Sequence, residues 1–216
     1  MGIIEHFKAF IQKGKTLYFP GCTTKVRLPH IAQNYGVLLK AVGINIVTLP
    51  ETICCGGFCL DSGYRDDFEQ CRQKTMEFFT EQQVTKVITS DPFCYRILKE
   101  NYLIPVDFAA TILAQKMNAS VTRSEQVYYH DGCFATGDEP RKLLQQKGFL
   151  LQELPKSAQC CGAGGLLPMN NPQLAKKIAE RLIKHCPCDK IITASPLCYL
   201  HLKSKGKEVF EFSELL

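Results

Sequence analysis

The chain reads as an α/β protein of two equivalent halves, each a small parallel sheet flanked by helices, with cysteines gathered at the carboxyl ends of the strands. Three observations predict this. Short apolar runs alternate with amphipathic stretches along the whole length. Blocks of the first half recur in the same order in the second, and cysteines recur with them.

The repeat is visible in five places. Tyr18 to Cys22, YFPGC, answers to Tyr129 to Cys133, YHDGC. LLKAVGINIVTLP, from Leu38 to Pro50, aligns without a gap to LLQQKGFLLQELP, from Leu143 to Pro155. Cys54-Cys55-Gly56 corresponds to Cys160-Cys161-Gly162, and KVITSDPFCYRILK to KIITASPLCYLHLK with eight identities in fourteen positions. The stretches Val106–Leu113 and Val209–Leu216 align as well. The offsets, 111, 105, 106, 104 and 103, allow only small insertions, so the chain is an internal duplication.

In chain order, Ile3, Ile4, Phe7, Phe10 and Ile11 stand at helical spacing and predict an amphipathic helix in residues 1–15. Residues 16–120 form the first repeat domain. Its strands are Thr16–Phe19, Ile44–Leu49 and Lys86–Thr89; its helices are Leu28–Val42, Arg65–Gln83 and Pro92–Asn101. Residues 121–216 form the second domain, beginning in the polar stretch Asn118–Ser124. Strands are expected at Val127–His130, Phe149–Leu154 and Lys190–Thr193, and helices near Pro140–Lys147, Pro172–His185 and Pro196–Lys203. Alternating short strands and helices build parallel sheets with right-handed crossovers.

Composition removes several function classes. The 216 residues are 45% apolar and 22% charged, ordinary for a globular protein and unlike a disordered one. Twenty-six basic and 21 acidic residues leave a net charge of +5, with no basic run interleaved with aromatics, so a nucleic-acid partner is not expected. Glu5, His6 and Lys8 interrupt the N-terminus where a signal peptide carries its apolar run. No segment reaches the ~20 apolar residues of a membrane span. These readings predict a cytoplasmic protein without a membrane span.

Twelve cysteines stand out. Adjacent Cα atoms lie ~3.8 Å apart, while disulfides take roughly 4.4–6.8 Å, so Cys54-Cys55 and Cys160-Cys161 are poor disulfide partners. They suit two thiolates meeting one metal centre from a single turn. Eight cysteines repeat in register: Cys22, Cys54, Cys55 and Cys94, then Cys133, Cys160, Cys161 and Cys198. All follow strand ends, and parallel strands bring those ends to one edge, where open α/β sheets bind ligands. Asp91-Pro92 and Ser195-Pro196 read as an N-cap followed by proline at the first helical position. Cys94 and Cys198 then fall in the first helical turn, where the macrodipole stabilises a thiolate. The glycines after each pair allow close backbone approach to a bulky inorganic group.

These eight are the candidate metal ligands. Zinc is one reading, because Cys₄ sites are familiar, but structural zinc usually takes C-x₂₋₄-C knuckles absent from the eight. Two iron–sulfur clusters, one in each half, fit the spacing better. Cys71, inside a helix, reads as a packing residue, and Cys186 and Cys188 as structural thiols at the amino end of a strand. Cys59 lies close enough to Cys55 to touch the first site. The segment CGAGGLL lacks phosphate-loop spacing. His30, His130, His185 and His201 form no ligand pairs in the sequence and read as ordinary histidines.

The doubled pattern Cys22…Cys54-Cys55-Gly56…Cys94 and Cys133…Cys160-Cys161-Gly162…Cys198 resembles the cysteine-rich CCG domain family. That family includes the disulfide-reducing subunit of heterodisulfide reductase, the iron–sulfur subunit of glycolate oxidase, and the lactate-utilisation A protein. The resemblance covers nearly all the chain from Thr16 onward. It implies an oxidoreductase subunit with [4Fe–4S] clusters on the eight cysteines, working with a flavoprotein subunit and a ferredoxin-like iron–sulfur subunit. The fullest family motif ends in C-x-x-C, whereas this chain has Asp91 and Ser195 at the first of those positions. Four cysteines per half suit electron relay rather than direct disulfide reduction. Catalytic thiol or disulfide reduction is the alternative within redox chemistry, and a zinc-stabilised interaction module is the alternative outside it.

Overall fold

The computed structural model describes residues 14–51, 53–118, 124–134 and 137–216. Residues 1–13 of the expected helix and most of the junction between the halves lie outside these residues, and Lys15, expected at the end of that helix, opens the first strand instead. The first half runs β1 (Lys15–Phe19), α1 (Cys22–Arg27), α2 (Pro29–Ala41), α3 (Gly57–Asp61), α4 (Arg65–Glu81), β2 (Val84–Thr89), α5 (Pro92–Asn101), β3 (Val106–Phe108) and α6 (Ala109–Lys116). The second runs β4 (Glu125–His130), α7 (Glu139–Gln146), β5 (Phe149–Gln152), α8 (Leu167–Asn170), α9 (Pro172–His185), β6 (Lys190–Thr193), α10 (Pro196–Leu202) and β7 (Glu208–Glu211). Two 3₁₀ turns, Lys156–Ala158 and Phe212–Leu215, complete it.

Both sheets are parallel, in the orders β1-β2-β3 and β5-β4-β6-β7. The α/β class expected from the sequence is the class observed. Strands β3 and β7 were not expected. They lie in the aligned tail blocks, where runs of three and four residues are too short for periodicity to declare them.

The expected strand Ile44–Leu49 contracts to a single bridge, Leu17 with Val47. Val47 bonds both ways to β1, its carbonyl accepting from Tyr18 N–H and its N–H donating to Thr16 O, each at 2.9 Å. Beyond it the chain turns away. Lys25 Nζ donates to the carbonyls of Leu49, Pro50 and Glu51 at 2.9, 2.7 and 2.6 Å, satisfying acceptors that a strand would have offered to β1. The bridge occupies the place of β5, so both sheets follow one plan.

Side-chain alternation buries both faces of the first sheet, as parallel sheets require. Leu17 and Phe19 of β1 pack with Val87, Phe79, Ile97 and Leu98 on one face. Tyr18 and Ile88 turn to the other face, against Ile31, Tyr35 and Leu39, the three buried residues of α2. That second core does not stop at the first half. It continues through Phe108 and Leu113 into Val127, Tyr129, Leu143 and Phe212. A buried hydrogen bond crosses with it, Tyr35 Oη donating to Glu211 Oε1 at 2.9 Å.

Candidate functional site

In the first half, three strand-end connections carry Cys22, Cys54, Cys55 and Cys94 to one place. Cys22 opens α1 directly after β1. Gly21 before it has φ +83°, and a Cβ there would stand 3.0 Å from Cys94 Sγ and 3.3 Å from Asp91. Glycine therefore lets the end of β1 close on the start of α5. Cys54 and Cys55 lie in the loop before α3, where Gly56 (φ +73°) could not carry a side chain without meeting Phe68 at 2.9 Å. Asp91 caps α5, accepting from Phe93 N–H at 2.9 Å, and Cys94 is the helix's third residue.

The thiols are close but not bonded. All twelve cysteines are free, and Cys55 Sγ lies 3.4 Å from Cys94 Sγ, both buried. Gly56 N–H donates to Cys54 Sγ at 3.4 Å. Cys54 is held far below the usual thiol range, chiefly by hydrogen bonds from Cys22 and Cys55, with the Gly56 N–H adding to them. A thiolate is the form that ligates metals. Burial pushes the Asp91 carboxyl up to about 6, against opposing N–H bonds from Phe93 and Cys94.

The second half repeats this construction. Cys133 follows β4 after Gly132 (φ +74°), whose Cβ would stand 3.4 Å from Ser195 and 3.6 Å from Cys198 Sγ. Cys161 Sγ lies 3.3 Å from Cys198 Sγ, again both buried, while Cys133 and Cys160 are exposed. Gly162 (φ +79°) brings the loop onto α9, since a Cβ would strike the Ala175 carbonyl at 2.9 Å. Ser195 stands at the N-cap of α10 without making the side-chain cap bond that Asp91 makes. In both halves the cap residue's own N–H is held by a strand-end threonine, Thr89 at 3.3 Å and Thr193 at 3.2 Å. Leu197, next to Cys198, packs against both apolar clusters, the one that holds Cys55 and Cys94 and the one that holds Cys161 and Cys198.

Two residues read as bystanders in the sequence stand at these sites. His130, read as an ordinary histidine, is buried, and its ring nitrogen, Cys161 Sγ and Cys198 Sγ lie within 4.8 Å of one another. Its Nε2 has no hydrogen-bond partner among the described residues. Cys161 is drawn down to about 4, first by the hydrogen bond from Cys198 and, after the opposing effect of burial, by His130. The available signal was the exchange of Phe19 for His130 between otherwise aligned blocks. Cys71, read as packing, reaches from α4 to donate to the Cys54 carbonyl at 3.3 Å. Burial, then the neighbouring Cys54, then Cys59 push its thiol up to about 11. Cys59 thus stands beside Cys71 in the surroundings of the first site. Cys186 and Cys188 are buried beyond the amino end of β6, with Cys186 Sγ donating to the Cys188 carbonyl at 3.4 Å.

A donor set of thiols with one imidazole is soft and fits iron–sulfur or zinc chemistry rather than hard oxygen-seeking cations. The buried, unpartnered nitrogen of His130 and the glycine-lined approaches are what such a group would complete and fill.

The fold and its two cysteine groups define a class, duplicated parallel α/β chains with thiols clustered at the strand ends. The chain belongs to the cysteine-rich CCG domain family, which matches it twice, over residues 16–99 and 127–203. It is similar to an uncharacterized iron-sulfur protein of Methanocaldococcus jannaschii, at 25% identity over 99% of this chain and 46% of the relative. One of the subunits of fumarate reductase (CoM/CoB) from Methanothermobacter marburgensis is 26% identical over 86% of this chain and 41% of its own length. Lactate utilization protein A 2 of Bacillus cereus is 22% identical over 94% and 97%. The chain therefore spans less than half of the first two relatives and nearly all of the third. Among solved structures, Picrophilus torridus aspartate racemase superposes at a TM-score of 0.41 and 11% identity, over 94% of this chain and 91% of that one, too distant to bear on function. Among the described residues, no helix is long and apolar enough to cross a membrane.

Proposed function

We propose that this protein is an iron–sulfur redox subunit of a larger oxidoreductase, relaying electrons between a flavoprotein and another carrier such as a ferredoxin-like subunit. One cluster would be held by Cys22, Cys54, Cys55 and Cys94, and the other by Cys133, Cys160, Cys161 and Cys198. The reading rests on one observation above all. In each half a strand-end cysteine, a vicinal pair and a helix-start cysteine are drawn together, with a buried sulfur pair 3.3–3.4 Å apart. Relatives named as iron-sulfur proteins and as an oxidoreductase subunit support the cofactor class and the presence of partners.

Bound clusters supply one-electron storage, tuned by ligand charge, hydrogen bonds to sulfur and exposure. The chain's own part is to hold deprotonated sulfur. Cys54 and Cys161 are the sulfurs drawn below the usual thiol range, each taking a hydrogen bond from a neighbouring cysteine, Cys22 and Cys198 respectively, whose own thiol is pushed up. Phe58, Phe93 and Phe134 form a run of tilted rings, at centroid distances of 5.1 and 5.5 Å, in and against the apolar cluster that holds Cys55 and Cys94.

Anaerobically prepared protein is expected to carry about eight irons and eight acid-labile sulfides per chain, two four-iron centres. Zinc in place of iron overturns the proposal in favour of an interaction module. The alternative of thiol or disulfide reduction gains one specific support, since Cys71 beside Cys54 gives the first site a fifth thiol. EPR spectra of reduced and half-oxidised protein separate the two. Signals unaffected by added thiol are expected for relay. A signal that appears only on oxidation with thiol, broadened by a sulfur isotope in that thiol, would establish the reductase.

A further inference from the structure

The two sites differ at one buried position. Phe19 ends β1 and His130 ends β4, and the aligned blocks around them make these equivalent places in the fold. Phe19 lies in the apolar core that includes Cys55 and Cys94. An aromatic ring with no polar atom therefore satisfies the packing there. His130 is 3% exposed, and its Nε2 finds no hydrogen-bond partner among the described residues. An unpaired polar atom is costly to bury and, when persistent, calls for a role. The ring's ligating nitrogen and the sulfurs of Cys161 and Cys198 all lie within 4.8 Å of one another, and all three residues are buried.

We propose that His130 is a metal ligand of the second site, giving that site a mixed imidazole–thiolate set where the first has thiolates alone. This rests on the proposal that the sites bind metal, and it adds which residue distinguishes them. Cys161, Cys198 and His130 form the buried side, and the exposed Cys133 and Cys160 complete the set from the solvent side. His130 adds a neutral imidazole donor to the thiolates of this site, and histidine-ligated iron–sulfur centres have higher potentials than all-cysteine ones. The two centres therefore differ in potential although their halves are repeats, and the second is the more readily reduced.

The test has two arms on the full chain. In iron-loaded protein labelled with ¹⁵N-histidine, pulsed EPR of the reduced state is expected to show one strongly coupled histidine nitrogen. That coupling should vanish in H130Q and H130F, with the potential of one centre shifted and the other unchanged. In apo-protein titrated with cobalt(II) alone, H130F is expected to weaken one of two sites at least tenfold and to alter its visible absorption. Iron present without strong nitrogen coupling, or cobalt titrations identical between wild type and H130F, overturns the assignment of His130. Absence of iron with zinc or cobalt bound tells against the cluster reading alone, because the cobalt arm still reports on His130.

Discussion

Glu211 lies at the join of the two halves, and replacing it with glutamine removes a cost that depends on pH. Its side chain is fully buried at the end of β7. Tyr35 Oη donates to Oε1 at 2.9 Å, and Ser213 donates to Oε2 from its N–H at 2.8 Å and its hydroxyl at 2.5 Å. These bonds favour the carboxylate but do not outweigh desolvation, which pushes the group from 4.5 up to about 7. The native state thus binds a proton that the unfolded chain has released throughout that interval. Stability from this group is fully present below 4.5 and is lost as pH rises through about 7. At 1.36 kcal/mol per unit, the whole effect is ~3 kcal/mol, of which ~2 kcal/mol falls between about pH 5.5 and 8.5. Glu211→Gln cannot ionise and keeps an oxygen for Tyr35. Denaturant unfolding of both proteins across that range should show the variant gaining ~2 kcal/mol on wild type from the acid to the alkaline end. Parallel pH profiles would refute the reasoning.

Other outcomes follow from the cysteine sites. Cys54→Ser with Cys55→Ser should remove about half the iron measured by chemical analysis, two of four ligands at one of two centres being lost; loss of all the iron would mean that the continuous core makes the second site depend on the first. Cys186→Ser and Cys188→Ser should leave iron content and the visible spectrum intact, because both thiols lie beyond the amino end of β6. Cys71→Ser should retain the iron but perturb the spectrum of the first centre, since its thiol bonds to the Cys54 carbonyl. Loss of that centre in the Cys71 variant would instead make Cys71 a ligand.

The grouping of the candidate cysteines was legible in the sequence, because the duplication repeats the same local pattern twice. Asp91-Pro92 and Ser195-Pro196 mark helix starts from neighbouring residues alone, and α5 begins where that chemistry places it. Strand-end positions of the eight cysteines followed from alternating apolar runs, and the parallel class from the order of those runs.

What the sequence could not decide depends on residues far apart in the chain. Val47 keeps only one bridge because Lys25 takes the next carbonyls, a competition between elements that hydrophobic pattern does not record. Cys71 sits on a helical face like any packing residue, and only the fold of α4 over the Cys54 loop turns its thiol to the first site. His130 looked ordinary because its neighbours in sequence are not its partners, which lie 31 and 68 residues away at Cys161 and Cys198. Tyr35 and Glu211 meet across 176 residues, so that one core joins the halves. Local propensity and periodicity declare elements and their ends. Side chains brought together by packing those elements are decided by the tertiary structure, since burial and the pairing of polar atoms exist only once the chain has closed on itself.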